Sequence, residues 1–323
     1  MNNFKTSVII PAYNCSATIS KTINSLLKQR HMPDEIIIVD DGSTDDTAQI
    51  VKQYRQVHYV FQKNSGPAAA RNNGAFLSHG DILFFTDSDC VPTQDWIMEG
   101  LKGFSHEEIG AVCGTYGNAN PQYVLSRCIH DEIQFRHHHL VPDEPKVFGS
   151  YNVAIRRGLF VRLSGFNQKY SQASGEDNDL SYRLRKSGHK IIFNRKFKVD
   201  HFHTTSLMKY LLEQFRHGFW RAKMYRDHVN MVLGDDYTFW KDSVEIILAF
   251  IFIFSISVSL GVPLFNVFWP GALLLLISIE LFFAFRMISR KKDVFFGFVV
   301  MLFRVFFRGA GFSSGILRFF LNQ

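Results

Sequence analysis

A chain of 323 residues with a net charge of +7 exceeds one average domain, and its composition changes along its length. The first two thirds mix polar and apolar residues, whereas Phe, Ile, Leu and Val dominate after Lys241, which predicts a soluble domain followed by a membrane region. The positive charge suits an anionic membrane surface or a phosphorylated ligand; no zinc-finger spacing or nucleic-acid motif accompanies it, so nucleic acid is not an expected partner. Cys15, Cys90, Cys113 and Cys128 form no Cys-x-x-Cys pair, as expected of a reduced compartment without structural disulfides. The amino terminus opens with a strand pattern rather than a charged segment and an apolar run, so no cleavable signal peptide is expected.

In chain order, Ser7 to Ile10 followed by Pro11-Ala-Tyr-Asn14 predicts a buried strand ending in a loop. Apolar residues at helical spacing from Ala17 to Leu27 complete a first β-α unit. Glu35 to Val39 predicts the next strand, and Asp40-Asp-Gly-Ser-Thr-Asp-Asp46 breaks it and caps a helix from near Thr47. This is the rhythm of a nucleotide-binding domain. The first turn nevertheless lacks Gly-x-Gly-x-x-Gly, and no strand is followed by Gly-Lys-Ser/Thr, which excludes the dinucleotide and P-loop readings. His58 to Phe61 predicts a third strand, and Asn64-Ser-Gly-Pro67 turns into a helix from about Ala68 to Ser78. Arg71 falls in the first turn of that helix, where a cation gains nothing from the helix dipole. A bound anion or carboxylate partner accounts for it, as does a solvated surface position.

Gly80-Asp-Ile-Leu-Phe-Phe-Thr-Asp-Ser-Asp-Cys90 holds an apolar run, Ile82 to Phe85, that reads as a strand buried on both faces. Asp87 and Asp89 leave its carboxyl end, where open α/β sheets place ligands. Hard oxygen donors at that spacing suit Mg²⁺ or Mn²⁺ holding a diphosphate; an acidic turn after a strand has the same appearance. A helix near Gln94 to Phe104 and a strand from Gly110 to Thr115 follow.

Four blocks, Ser7-Val-Ile-Ile-Pro-Ala-Tyr-Asn14, Val39-Asp-Asp-Gly-Ser-Thr-Asp45, Gly66-Pro-Ala-Ala-Ala-Arg-Asn-Asn-Gly74 and Asp87-Ser-Asp89, together resemble an inverting family 2 glycosyltransferase with a GT-A fold. The resemblance covers the chain to about residue 220. It implies an α/β architecture with a Rossmann-like mixed sheet, a nucleotide-sugar donor and a divalent metal, Mg²⁺ or Mn²⁺. It also implies that Asp41 hydrogen-bonds the nucleotide base, that Pro11 and Tyr13 line its pocket, and that Arg71 lies beside the nucleotide. Asp87 and Asp89 match the Asp-x-Asp motif, whose last carboxylate takes the metal.

The second half of the domain is expected to supply the acceptor side. A helix between Gln122 and Leu140 carries His137-His-His139; adjacent histidines point in different directions around a helix, so these cannot form one compact metal site if the helix continues through them. Gly149-Ser-Tyr-Asn-Val-Ala-Ile-Arg156 looks like a strand, and the resemblance sets it beside donor sugar and acceptor. Gly175-Glu-Asp-Asn-Asp-Leu-Ser-Tyr-Arg183 predicts a helix opening at Glu176, whose amino terminus favours ionised carboxylates. Capping alone accounts for such acids; the resemblance makes Asp177 the catalytic base, with Glu176 orienting it or binding acceptor. Lys190 to Asn194 is another strand, and His201 and His203 of Val199-Asp-His-Phe-His203 face the same way if that segment is extended. The resemblance gives one of them to the metal, with His201 preferred over His203.

Leu211 to Tyr225 reads as an amphipathic helix. Its Glu213-Gln-Phe-Arg-His217 departs from the Gln-x-x-Arg-Trp of processive synthases and favours addition of a single sugar. Val244 to Leu260 and Leu264 to Phe285 each approach the roughly 20 apolar residues that cross a bilayer. Arg221, Lys223, Arg226 and Lys241 precede this pair and Arg286, Arg290, Lys291 and Lys292 follow it, so the catalytic part is expected on the cytoplasmic side of a plasma or inner membrane. Arg304, Arg308, Gly311, Gly315 and Arg318 share one face of a last helix, Val294 to Leu321. That face suits an interfacial or re-entrant position against phospholipid or a lipid diphosphate. The expected divisions are therefore residues 1–225 catalytic, 226–243 juxtamembrane, 244–285 two transmembrane helices and 286–323 basic and amphipathic. The activity expected is metal-dependent transfer of one sugar to a glycan or polyprenyl-linked acceptor. A processive synthase and a non-catalytic nucleotide-sugar-binding membrane protein are the alternatives.

Overall fold

The computed structural model describes residues 4–170, 174–229, 236, 238 and 240–321. By packing, the chain divides into two compact units. One holds the residues up to Ala119 together with Val141–Phe202, the other Asn120–Leu140 together with the residues from His203 onward.

The first unit is a mixed eight-stranded sheet covered by helices. Its elements are β1 (Thr6–Ala12), α1 (Ile19–Leu26), β2 (Glu35–Asp40), α2 (Thr47–Val51), β3 (His58–Phe61), α3 (Pro67–Leu77), β4 (Ile82–Thr86), β5 (Cys90–Pro92), α4 (Trp96–Lys102) and β6 (Ile109–Asn118). After the excursion of α5 (Val124–His139) into the second unit come β7 (Asn152–Arg156), α6 (Arg157–Arg162), α7 (Glu176–Lys186) and β8 (Lys190–His201). The strand order is β3-β2-β1-β4-β7-β6-β8-β5. Strands β3, β2, β1 and β4 run parallel, whereas β7 is antiparallel to both of its neighbours.

The apolar runs read as two-faced strands because alternate residues serve opposite cores. Val8, Ile10, Ile36, Ile38 and Phe84 pack on one face with Trp96 and Phe197; Ile9, Leu83, Phe85, Val153 and Ile155 pack on the other with Phe160 and Phe166. Each such side chain contributes about 1.5–3 kcal/mol on burial. Trp96 stacks on Phe197 at 5.2 Å between ring centroids, and its Nε1 donates to Asn152 Oδ1 at 2.8 Å. The indole is thus buried without a lost hydrogen bond. From β1 the chain builds outward through β2 and β3 on one side and through β4 on the other. The carboxyl ends of β1 and β4 therefore border the point where strand order reverses, the usual ligand position in such sheets.

Two elements escape the sequence reading. Strand β5 is three residues long, too short to show alternation, and helix α6 follows β7 without a break. The strand expected to end at Asn194 runs on to His201 because β6 pairs along it on one side and β5 on the other.

The second unit contains α5, α8 (Leu207–Asp227), α9 (Trp240–Ser259), α10 (Phe268–Met287) and α11 (Val294–Ile316). Packing thus groups α5 and α8 with the carboxyl-terminal helices, as in the cluster of Leu125, Tyr210, Leu211 and Val300, although the sequence reading ran one domain to residue 225. Of the expected 226–243 linker, the start belongs to α8 and the end to α9; residues 230–235, 237 and 239 lie outside the described residues.

Three helical stretches, Trp240–Ser259, Pro263–Met287 and Lys291–Leu321, are long and apolar enough to cross a membrane. On the third, two arginines of the expected basic face turn toward other helices while Arg318 is exposed: Arg304 is 1% exposed, pairs with Glu132 and reaches Glu245 at 3.5 Å, and the partly buried Arg308 engages Asp242 at 3.4 Å and Gln214. Gly311 and Gly315 bring α11 against the Phe215 and Phe219 carbonyls of α8. Arginines that look costly in lipid when read along one helix have carboxylate partners on others.

Candidate active site

The expected donor-side residues gather at the carboxyl ends of β1, β2 and β4. Pro11 sits in β1 opposite Val39, and Tyr13 follows it, 53% exposed. Asp41, immediately after β2, is buried. Its Oδ1 accepts from Gln62 Nε2 at 2.7 Å and from the Ser65 N–H at 2.8 Å, and its Oδ2 accepts from the Gly66 N–H at 2.9 Å. Asp41 thereby ties the β2 loop to the segment entering α3. Gly42 is needed there: its φ is +78°, and a Cβ would lie 3.0 Å from the Asn64 nitrogen.

Arg71 is 2% exposed and bridges two acids, donating from Nη2 to Asp87 Oδ1 at 2.7 Å and from Nη1 to Glu176 Oε1 at 3.0 Å. Of the readings open for it in the sequence, the carboxylate partner is the one observed. Burial alone would lower the Arg71 pKa, but Asp87 and Glu176 more than offset that and raise it. One guanidinium thus joins the acidic loop after β4 to the amino terminus of α7.

Helix α7 opens at Glu176 as expected, behind Gly175 at φ +96°. Burial works against the expected ionisation, however. Burial, reinforced by the neighbouring Asp177 charge and only partly opposed by Arg71, pushes Glu176 up to about 7. Burial also raises Asp177, although the backbone N–H groups of Asn178 and Ser150 donate to its carboxylate at 2.8 and 3.3 Å. A helix dipole is worth about 0.3–1 kcal/mol to an exposed acid, less than the cost of removing a carboxylate from water. Two adjacent buried acids whose pKa values are raised are better proton acceptors than exposed carboxylates.

On the other side of the Asp87 loop, β5 pairs antiparallel with β8 and places Cys90 opposite His201. This brings His201 Nε2 to 3.4 Å from Asp89 Oδ2; both side chains are partly exposed, and Tyr116 packs edge-on against the imidazole. A carboxylate oxygen and an imidazole nitrogen converging at an open edge are a donor set suited to a divalent cation. His203 lies beyond the end of β8 and is buried in the second unit. There its backbone N–H and C=O both bond the Asn120 side chain, and its ring faces that of His130 at 5.9 Å. The extended segment that would point His201 and His203 alike stops at His201. The helix does continue through His137–His139, burying His137 and exposing the next two.

Sequence reasoning missed Gln62 as a partner of Asp41, the Ser150 N–H beside Asp177, and Cys90 beside Asp89 and His201. Only Cys90 left a signal, its adjacency to Asp89; the other two depend on how loops fold back.

Residues 7–163 match the family model described as Glycosyl transferase family 2. Validoxylamine A glucosyltransferase of Streptomyces hygroscopicus subsp. limoneus is 28% identical over 225 residues, covering 59% of this chain and 50% of that protein. Glycosyltransferase AglE of Haloferax volcanii is 36% identical over 123 residues, covering 35% of this chain and 40% of that protein. The chain thus spans half or less of the length of these curated relatives. In fold, it is similar to the mannosyltransferase PcManGT from Pyrobaculum calidifontis, solved in complex with GDP-Man and Mn²⁺. The TM-score is 0.58 at 16% identity, over 99% of this chain and 88% of that one. The mixed sheet is of the GT-A kind, as the sequence blocks implied.

Proposed function

Since the chain belongs to glycosyl transferase family 2, we propose that it transfers a single sugar, with inversion, from a nucleoside diphosphate sugar to a hydroxyl of a membrane-borne glycan or polyprenyl-linked acceptor. The donor is a UDP-sugar in this reading, with dTDP- and GDP-sugars as the alternatives, and the product feeds cell-surface polysaccharide assembly. The observation that carries the proposal is the Arg71 bridge, since it fixes the loop bearing Asp87 and Asp89 and the helix end bearing Glu176 and Asp177 to one buried cation.

In the mechanism, Pro11 and Tyr13 flank the base of the donor. Asp41 accepts its N–H: the carboxylate has about four lone-pair sites, and protein donors use three. Asp89 and His201 fit a divalent ion, Mn²⁺ or Mg²⁺, and the Mn²⁺ and GDP-Man of the mannosyltransferase of similar fold support an ion and a nucleotide sugar here. Such an ion, when bound, supplies positive charge to the departing nucleoside diphosphate. Asp177 takes the proton of the acceptor hydroxyl as that oxygen attacks the anomeric carbon from the face opposite the leaving group. The Ser150 and Asn178 N–H groups hold the Asp177 carboxylate in position. Glu176, tied to Arg71, orients the pair. Alignment of two substrates contributes alongside proton transfer.

Helices α9 and α10 are the membrane spans in this reading, with the catalytic unit cytoplasmic on the basis of the flanking Arg and Lys. Lys241 does not count among the flanking charges, because it is buried between Glu245 and Glu280. The deciding experiment incubates the full chain with UDP-sugar and Mn²⁺, with and without lipid-linked acceptors, and follows UDP release. Acceptor-dependent release and a product one sugar longer support the proposal. A ladder of products turns it into a processive synthase, and donor binding without turnover on any acceptor turns it into a non-catalytic binder.

A further inference from the structure

Cys90 stands opposite His201 in the β5–β8 ladder, so the two side chains leave the same face of the sheet. The Cys90 Sγ lies 3.9 Å from Asp89 Oδ1, His201 Nε2 lies 3.4 Å from Asp89 Oδ2, and the three donor atoms all fall within 4.8 Å of one another. Among the described residues this is the one grouping of three or more such donors that could hold a metal ion. Donors in a tetrahedral zinc site stand about 3.3–3.6 Å apart, given bond lengths of about 2.0–2.3 Å. Shifts of a few tenths of an ångström up to about an ångström would therefore bring all three onto one ion.

We propose that Asp89, Cys90 and His201 form a mixed oxygen, sulfur and nitrogen site that takes a thiophilic divalent cation of the Zn²⁺ or Cd²⁺ class, to the exclusion of the oxygen-seeking ion used for transfer. The proposal rests on the reading of Asp89 and His201 as metal ligands and adds sulfur to them. Carboxylate and water donors favour Mg²⁺ and Mn²⁺, whereas thiolate and imidazole favour Zn²⁺. On binding, the Cys90 S–H bond breaks, its electron pair forms the S–metal bond, and the proton passes to solvent; no atom changes oxidation state. Cys90 is 0% exposed and belongs to the core that includes Trp96 and Phe197. A thiophilic ion is therefore drawn toward the sheet and takes Asp89 and His201 with it. Micromolar Zn²⁺ then inhibits transfer supported by Mn²⁺, and excess Mn²⁺ does not readily displace it.

The test uses Co²⁺ as an optical stand-in for Zn²⁺ on the full chain in detergent. A thiolate ligand gives cobalt a near-ultraviolet charge-transfer band that oxygen and nitrogen ligands do not. The expected result is that band in the wild type and in Cys15→Ser, and its loss in His201→Ala, Cys90→Ser and Cys90→Ala. Zn²⁺ affinity by calorimetry should fall at least about 10–100-fold in the Cys90 variants, since even partners behind the ligands are worth that much. Co²⁺ binding without the thiolate band in the wild type, or Zn²⁺ affinity unchanged in folded Cys90→Ala, overturns the inference and leaves Asp89 and His201 as ligands. Failure of the wild type to bind Mn²⁺, Co²⁺ or Zn²⁺ overturns the metal reading itself. The wild-type, Cys15→Ser and His201→Ala spectra decide the matter even if neither Cys90 variant folds.

Discussion

Replacing Glu176 by Gln should make stability less dependent on pH, and the size of the effect follows from its burial. The Glu176 carboxyl, 2% exposed, has its pKa pushed from 4.5 to about 7 by burial and by Asp177. Below pH 4.5 the folded and unfolded chains both hold this proton. Between pH 4.5 and 7 the unfolded chain has released it and the folded chain has not, so stability falls as pH rises, and above 7 the loss is complete. A displacement of that size corresponds to about 3 kcal/mol. Gln mimics the protonated acid and does not titrate, so the variant should lack this loss. It should gain on the wild type by up to about 3 kcal/mol between pH 5 and 8, or roughly 6–12 °C in Tm for a unit of this size. Calorimetric unfolding of both full chains in detergent across that range reads the difference directly, because groups common to the two cancel. Parallel curves would refute the assignment of the raised pKa to Glu176. Transfer should meanwhile fall only in part, since Asp177 remains as the base.

Asp177→Asn should abolish transfer while donor binding, measured by titration calorimetry, stays near normal; equal loss of both would show that Asp177 acts in binding rather than as the base. Asp89→Ala should weaken nucleotide-sugar binding in Mn²⁺ or Mg²⁺ and make the residual binding insensitive to EDTA, whereas undiminished wild-type turnover in EDTA would end the metal mechanism. Arg304→Met strips the buried Glu132 and Glu245 of a shared cation and should cost about 3–5 kcal/mol; adding Glu132→Leu should recover part of it, and a strictly additive double variant would dismiss the pairing. A version ending near Lys241 strips α5 and α8 of α11 and leaves Glu132 without Arg304; provided its first unit, which holds the donor residues proposed here, stays folded, it should still bind donor and hydrolyse it slowly. It should lose transfer to a lipid-embedded acceptor, and a folded version unable to bind donor would mean that α9–α11 help build the site.

The strands and helices of the first unit other than β5 and α6 were legible in the sequence because burial on both faces leaves runs such as Ser7 to Ile10 and Ile82 to Phe85 with little polar interruption. The places of Asp87, Asp89 and Glu176 could be read from their strand or helix ends for the same reason, since local chain geometry alone puts them there. Length and apolarity likewise marked two of the three helices long enough to cross a membrane, since that length depends on the thickness of a bilayer rather than on partners. What tertiary structure decided is pairing between residues far apart in sequence. Arg71 meets Glu176 across 105 positions, Asp89 meets His201 because a three-residue strand adds to the edge of β8, and Arg304 meets Glu132 across 172 positions. The upward pKa shifts of Glu176 and Asp177 belong with these. The helix terminus visible in the sequence favours ionisation, whereas the burial that opposes it arises only on folding.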